Sequence, residues 1–296
     1  MSLPPINAPE DDGTEGLLAS DTPALDAPAP PLRRVPNLGH AIIFVALTGL
    51  LLILSELIIV VLGHFPATPQ AAAQHPKLQI CAEAVAYLVT LAAAWVFFPL
   101  LWHRSFLNGL QWHWSVARDQ AAKLVGLGLF LGVMMQLVTS FITPPKTMPI
   151  DSFFATALDA WLITFFGTVV APIFEEICFR GFLVPAFAIA YDWLSLPRTD
   201  EARTRWQTTS TLSPDGLLFS AILTSLLFAG IHASQVAHLW VALVVLFSIS
   251  LVLTWVRIKT QSVAASTLVH AAYNGFVFVM TFIATGGFRH LDRMTH

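Results

Sequence analysis

Charge is scarce in this chain. Only 11% of its 296 residues are Asp, Glu, Lys or Arg, while 56% are hydrophobic and the mean hydropathy is +0.70. An ordinary soluble domain carries roughly 25% charged residues. So few charges cannot coat a water-soluble fold of this length, and lipid has to solvate much of the surface. The net charge is −3. Without a basic field, no nucleic-acid partner is expected. Cysteine is equally thin. Cys81 and Cys178 stand in apolar stretches outside any C-x-x-C or C-x-H pattern, so neither a disulfide nor a zinc framework is supported. Both read as buried thiols acting as small hydrophobes. Residues 1–36 lack the apolar core of a signal peptide, and their Pro, Ala, Asp and Glu content reads as a disordered cytoplasmic tail. No internal repeat is visible, and the one sizeable polar insertion is 195–215.

Long apolar runs are what the chain has in quantity. A bilayer span needs about 20 mostly apolar residues. The candidates are 40–62, 78–102, 120–143, 153–191, 216–233, 236–256 and 262–283. The expected fold is all-α: a polytopic transmembrane helix bundle of about seven spans, or eight if the fourth segment crosses twice. That segment would be roughly 58 Å long as a straight helix, about twice the hydrocarbon thickness. It is expected to kink at Pro172 or to begin in the interface. With seven spans and a cytoplasmic N terminus, ten Lys and Arg residues fall inside and four outside. A double crossing would level the count at seven each. The bias favours seven spans. The chain divides into the tail, N-terminal helices at 37–150 without a recognisable motif, motif-bearing helices at 151–285, and a polar C-terminal tail at 286–296.

A charged side chain inside a span is costly and points to function. Glu176 and Arg180 stand four apart with the acid first, the favourable order for a helical ion pair. Adjacent Glu175 points about 100° away and keeps its carboxylate free of that pair. The bland alternative is a structural salt bridge with a spare acid at a wet edge. Phe228 and His232 share a helix face in a later span, and His270 and Asn274 share one in the last. A lone histidine in a helix is more often a satisfied core residue than a catalyst. Two histidines, an asparagine and two glutamates in three apolar spans would each cost free energy unpaired, so convergence on one wet cavity is the economical arrangement.

The motifs E-E-x-x-x-R, F-x-x-x-H and H-x-x-x-N, in that order on separate apolar helices, resemble the CaaX protease and bacteriocin-processing (CPBP, or Abi) family. These are intramembrane endopeptidases related to the eukaryotic Ras-converting CaaX protease. The resemblance spans about 171–275. It implies an enzyme, with Glu175 as catalytic glutamate, His232 as its partner in activating water, and His270 and Asn274 as oxyanion stabilisers. Glu176, Arg180 and Phe228 fill the remaining motif positions in supporting roles. It further implies hydrolysis without a cofactor or metal, a membrane-associated peptide or protein terminus as substrate, and a bacterial inner (plasma) membrane location. Zinc is the mechanistic rival, since two histidines and a glutamate could ligate it. No H-E-x-x-H helix is present, and the last motif offers an amide where zinc prefers imidazole or carboxylate. A non-catalytic immunity or scaffold protein and a proton-coupled transporter are the other functional readings. Serine and aspartyl intramembrane proteases fit poorly, for want of G-x-S-x-G and G-x-G-D.

Some features carry expectations without chemistry. Glu56 and Glu83 read as carboxylates reaching the interface from the outer ends of their helices. Asp192 reads as a cap at the end of its own helix. Trp95, Trp102, Trp112, Trp114 and Trp255 read as an interfacial aromatic belt. One tension is internal to the seven-span arrangement. It puts His232 at the outer end of its helix and His270 about a third of the way in from the opposite side.

Overall fold

The computed structural model describes residues 34–64, 75–141 and 149–294. The tail expected at residues 1–36 lies, up to residue 33, outside the described residues. Ten helices are used below: α1 Leu38–Gly63, α2 Pro76–Trp102, α3 Phe106–Leu110, α4 Trp114–Asp119, α5 Ala121–Thr139, α6 Ala157–Leu194, α7 Asp200–Thr208, α8 Pro214–Ile231, α9 Trp240–Thr260 and α10 Val263–Ala284. No strand occurs among the described residues. Seven helices (α1, α2, α5, α6, α8, α9 and α10) are long and apolar enough to cross a membrane. Each overlaps one expected span. The protein is an all-α, multi-pass membrane protein.

Local chemistry starts these helices. Asn37 caps α1 reciprocally with His40, through hydrogen bonds of 3.2 and 3.1 Å. Thr156, Ser213 and Ser262 accept from the third residue onward at the starts of α6, α8 and α10. Pro76 and Pro214 occupy first helical positions, where a missing N–H costs nothing. Asp192 accepts hydrogen bonds from the Ser213 amide (2.9 Å) and hydroxyl. The acid therefore holds the start of α8 rather than capping the end of its own helix.

Once begun, the spanning helices are apolar on nearly every side, as lipid requires. Ile53, Val96 and Leu100 are 65%, 68% and 70% exposed, which hydrocarbon tolerates and water would not. Cys81 is also exposed, so of the two thiols only Cys178 is partly covered. Trp95, Trp114 and Trp255 lie outward, but Trp102 is 2% exposed and stacks on Phe98 (4.8 Å between centroids). It belongs to the core rather than to a belt. That core joins α1 and α2 to α6. Phe44 stacks on Phe182 at 4.4 Å, and Tyr87 stacks on Phe174 at 3.7 Å with the rings 4° from parallel.

The long α6 runs helical for 38 residues. In place of a break at Pro172, its winding widens twice, to π-helix over Phe166–Val170 and over Ile177–Leu183. Between them lies the α-helical turn Ala171–Glu176, with Pro172 in its first turn and both glutamates at its end. A wide turn absorbs the carbonyl that a proline leaves unpaired, and π segments gather at functional sites.

Helix α10 packs along α5, and the contact is close because α5 presents Gly128 and Gly132 to it. A Cβ on Gly128 would stand 2.5 Å from the Val269 carbonyl oxygen and 2.6 Å from the Ala272 Cβ. A Cβ on Gly132 would strike the Phe276 ring. This is the small-x-x-x-small approach common in membranes. It spends the 269, 272, 273 and 276 side of α10 on α5. His270 and Asn274 are left for the other side.

Candidate active site

Three spanning helices bring their polar residues together. Glu175 comes from the narrow turn of α6, His232 from the residue after α8, and His270 from α10. Glu175 Oε1 lies 3.9 Å from His232 Nε2, and Glu175 Oε2 lies 3.8 Å from His270 Nε2. The carboxylate is therefore held between two imidazoles. The lengthwise mismatch expected between His232 and His270 is absent, because each reaches the same carboxylate.

Glu176 is spent differently. Its side chain is fully buried; Oε1 accepts from Arg180 Nη1 at 2.8 Å and lies 3.0 Å from His270 Nδ1. Arg180, also fully buried, donates from Nη2 to the Ser250 carbonyl (3.0 Å) and hydroxyl (2.7 Å) on α9. The i, i+4 ion pair expected of Glu176 and Arg180 is present. It adjoins the imidazole that faces Glu175.

The histidine tautomers follow from what their Nδ1 atoms meet. His232 Nδ1 lies 2.8 Å from the Phe228 carbonyl oxygen, which only accepts. Nδ1 thus carries hydrogen, and in the neutral ring Nε2 presents a lone pair toward Glu175. His270 Nδ1 faces a Glu176 oxygen already accepting from a guanidinium, so it too carries hydrogen. The Phe228 ring lies 4.6 Å from that of His232 and 5.9 Å from that of His270, with the Arg180 guanidinium 5.0 Å over it. Phe228 separates the ion pair from His232 while packing against both histidines.

Asn274 sits one turn beyond His270. Its amide donates to the Gly167 carbonyl at 2.7 Å, in the first wide turn of α6. One N–H anchors the side chain and the second remains to be used. The structure thus joins Glu175, His232 and His270 directly, and places Asn274 on the same helix as His270 with its own tether to α6.

Glu83 differs from expectation. It accepts from Tyr87 Oη at 2.6 Å, and Tyr87 lies flat on Phe174, the residue before Glu175. Glu83 belongs to the surroundings of the site rather than to the interface. The E-x-x-x-Y spacing in an apolar helix was the available signal. Gly167 had none, since it contributes only a backbone carbonyl, and Ser250, which adds a hydroxyl to its carbonyl, stands in no motif.

Among the described residues, no three His, Cys, Asp or Glu side chains are arranged to hold a metal ion. The sequence matches a family model described as type II CAAX prenyl endopeptidase Rce1-like over residues 157–276. That stretch runs from the start of α6 into α10 and contains all seven motif residues. The match bears out the family resemblance carried by those motifs and supports a CAAX-type intramembrane protease in general. No curated protein and no solved structure matches the chain.

Proposed function

We propose that this protein is an intramembrane endopeptidase that hydrolyses a peptide bond in a membrane-associated peptide or protein terminus, using water activated by Glu175 and His232. The observation that carries this reading is the Glu175 carboxylate facing two imidazoles at 3.9 and 3.8 Å. These separations are too long for a direct hydrogen bond and suit one bridging molecule. A water between Glu175 and His232 meets two acceptors, the carboxylate and the Nε2 lone pair. It can give up a proton while its oxygen turns to a carbonyl carbon.

The proton count closes on these residues. Glu175 takes one proton from water as the C–O bond forms, and the carbonyl electrons move onto oxygen. That oxygen is stabilised by Asn274, through its free N–H, and by His270 Nε2. As the C–N bond breaks, Glu175 returns the proton to the departing amine. Preorganised donors of this kind are worth about 3–4 kcal/mol each. Glu176, Arg180 and Phe228 orient the imidazoles. No metal or other cofactor enters any step. Helices within 151–285 carry the chemistry, and the protein sits in a bacterial inner membrane with its N terminus in the cytoplasm.

The test is cleavage of fluorogenic peptides, prenylated and unmodified, by the purified full-length protein in lipid nanodiscs. Glu175→Gln and His232→Ala should abolish turnover while leaving the unfolding midpoint near wild type. Asn274→Ala should lower it by about 10²–10³-fold. A strong chelator should leave the rate unchanged; loss restored by zinc would replace glutamate-only hydrolysis with metal chemistry. Full activity of Glu175→Gln would sink the assignment.

A further inference from the structure

A second polar region lies at the end of the bundle where α1 and α8 begin and α2 and α9 finish. It is a cavity of about 620 Å³. Three guanidinium side chains line it, those of Arg34, Arg104 and Arg257, together with Gln111, Gln261 and Ser210. Among the described residues no carboxylate lines it.

The donors of these arginines are incompletely used. Arg257 is only 6% exposed and donates from Nη2 to Gln111, yet its Nε is buried without a hydrogen-bond partner. Arg34 lies 3.7 Å over the Trp206 ring, and its Nη2 donates to the carbonyls of Trp206 (3.1 Å) and Thr209. Its Nε and Nη1 are buried and unpartnered. Arg104 is exposed and forms no hydrogen bond or ion pair among the described residues. Asp192 lines a neighbouring pocket together with Arg34 and is spent on Ser213. A buried guanidinium such as that of Arg257, with an unused donor and no carboxylate in its cavity, is costly, and an anion removes that cost.

The arrangement selects the anion. Three guanidinium side chains on one cavity, from just before α1, just after α2 and within α9, suit a group with several oxygens rather than a single carboxylate, and arginine recognises phosphate through paired N–H donors. The cavity opens among helix ends, the depth at which lipid headgroups lie. We propose that Arg34, Arg104 and Arg257 form a binding site for a phosphate group, presented by a phospholipid headgroup or by a soluble phosphate compound. The site is separate from Glu175 and does not rest on the protease reading. Val184, Pro185 and Ile189 of α6 and Leu217 of α8 line the same cavity, so it adjoins helices that carry the glutamate and His232. Arg257 follows Ser250 by two turns on one face of α9, and Ser250 holds Arg180.

The experiment uses the full-length protein in a neutral detergent, with binding read as a shift of the thermal unfolding midpoint and by calorimetry. One arm titrates short-chain phosphatidylglycerol and phosphatidic acid, the other inorganic phosphate and glycerol phosphate. Saturable binding in the first arm alone identifies a lipid headgroup, and equal binding in the second identifies a soluble phosphate. In either case Arg104→Gln and Arg34→Gln should each weaken binding by about tenfold, the effect of losing a charge-assisted contact. The midpoint of ligand-free Arg104→Gln should stay at the wild-type value, because that side chain is exposed and unpaired. Arg257→Gln should abolish saturation. Should it fail to fold, the two other variants still decide. Absence of saturable binding in both arms, or binding unchanged in Arg104→Gln and Arg34→Gln, overturns the site.

Discussion

Glu176 and Arg180 illustrate how a buried pair is held by more than mutual attraction. Their contact is supplemented by the Ser250 carbonyl and hydroxyl on one side and by His270 on the other. Removing one partner leaves a charge with nothing to offset its burial, which costs about 3–5 kcal/mol. Arg180→Leu should therefore lower the unfolding midpoint sharply. Adding Glu176→Gln should recover most of the loss, since the orphaned carboxylate goes with it. A double variant no more stable than the single would show that the pair contributes little. At this scale much was legible beforehand. Spacing in E-E-x-x-x-R distinguishes the paired acid from the free one because a helix turns about 100° per residue. What spacing could not show was which backbone atoms complete the shell. The Gly167 and Ser250 carbonyls carry no side-chain signature, and spacing alone does not tie Glu83 to Phe174 through Tyr87.

Among helices, the seam between α5 and α10 fixes where His270 stands. Gly128 meets backbone oxygen and a Cβ, neither of which can yield, whereas Gly132 meets the movable Phe276 ring. Gly128→Leu should push the two helices apart and carry His270 away from Glu175. The expected result is loss of peptide cleavage and a stability cost of about 1–3 kcal/mol, while Gly132→Ala is milder in both. A Gly128→Leu protein with normal cleavage and midpoint would mean that α10 is positioned by its other neighbours. Span locations were readable from hydropathy, because lipid imposes long apolar runs. The winding of α6 was not. Pro172 announces that a hydrogen bond is lost, but nothing in the local sequence says whether the chain bends or widens. Short helices α3, α4 and α7 leave no sequence trace for a related reason, since none is long enough to show a repeating apolar face.

For the whole molecule, the distribution of Lys and Arg makes a topological statement. Seven spans with a cytoplasmic N terminus put the α2–α5 connection and the α6–α8 connection on one side of the membrane. Single cysteines introduced at Arg118 and Thr204, in a background lacking Cys81 and Cys178, should both resist a membrane-impermeant maleimide in intact cells. Both should react in inverted vesicles. Labelling of Thr204→Cys from outside would mean that α6 crosses twice. The two wide turns of α6 have a further consequence for how such a chain can change over time. In an ordinary helix, gaining or losing one residue swings everything beyond it by a quarter-turn or more. A segment that already holds surplus winding on both flanks of its glutamates has slack to take up or give back. A one-residue deletion between Phe166 and Val170 could tighten that loop to ordinary pitch and leave the acids facing as before. The two glutamates are thus mounted on something like a vernier, adjustable from either end without dismantling the shaft.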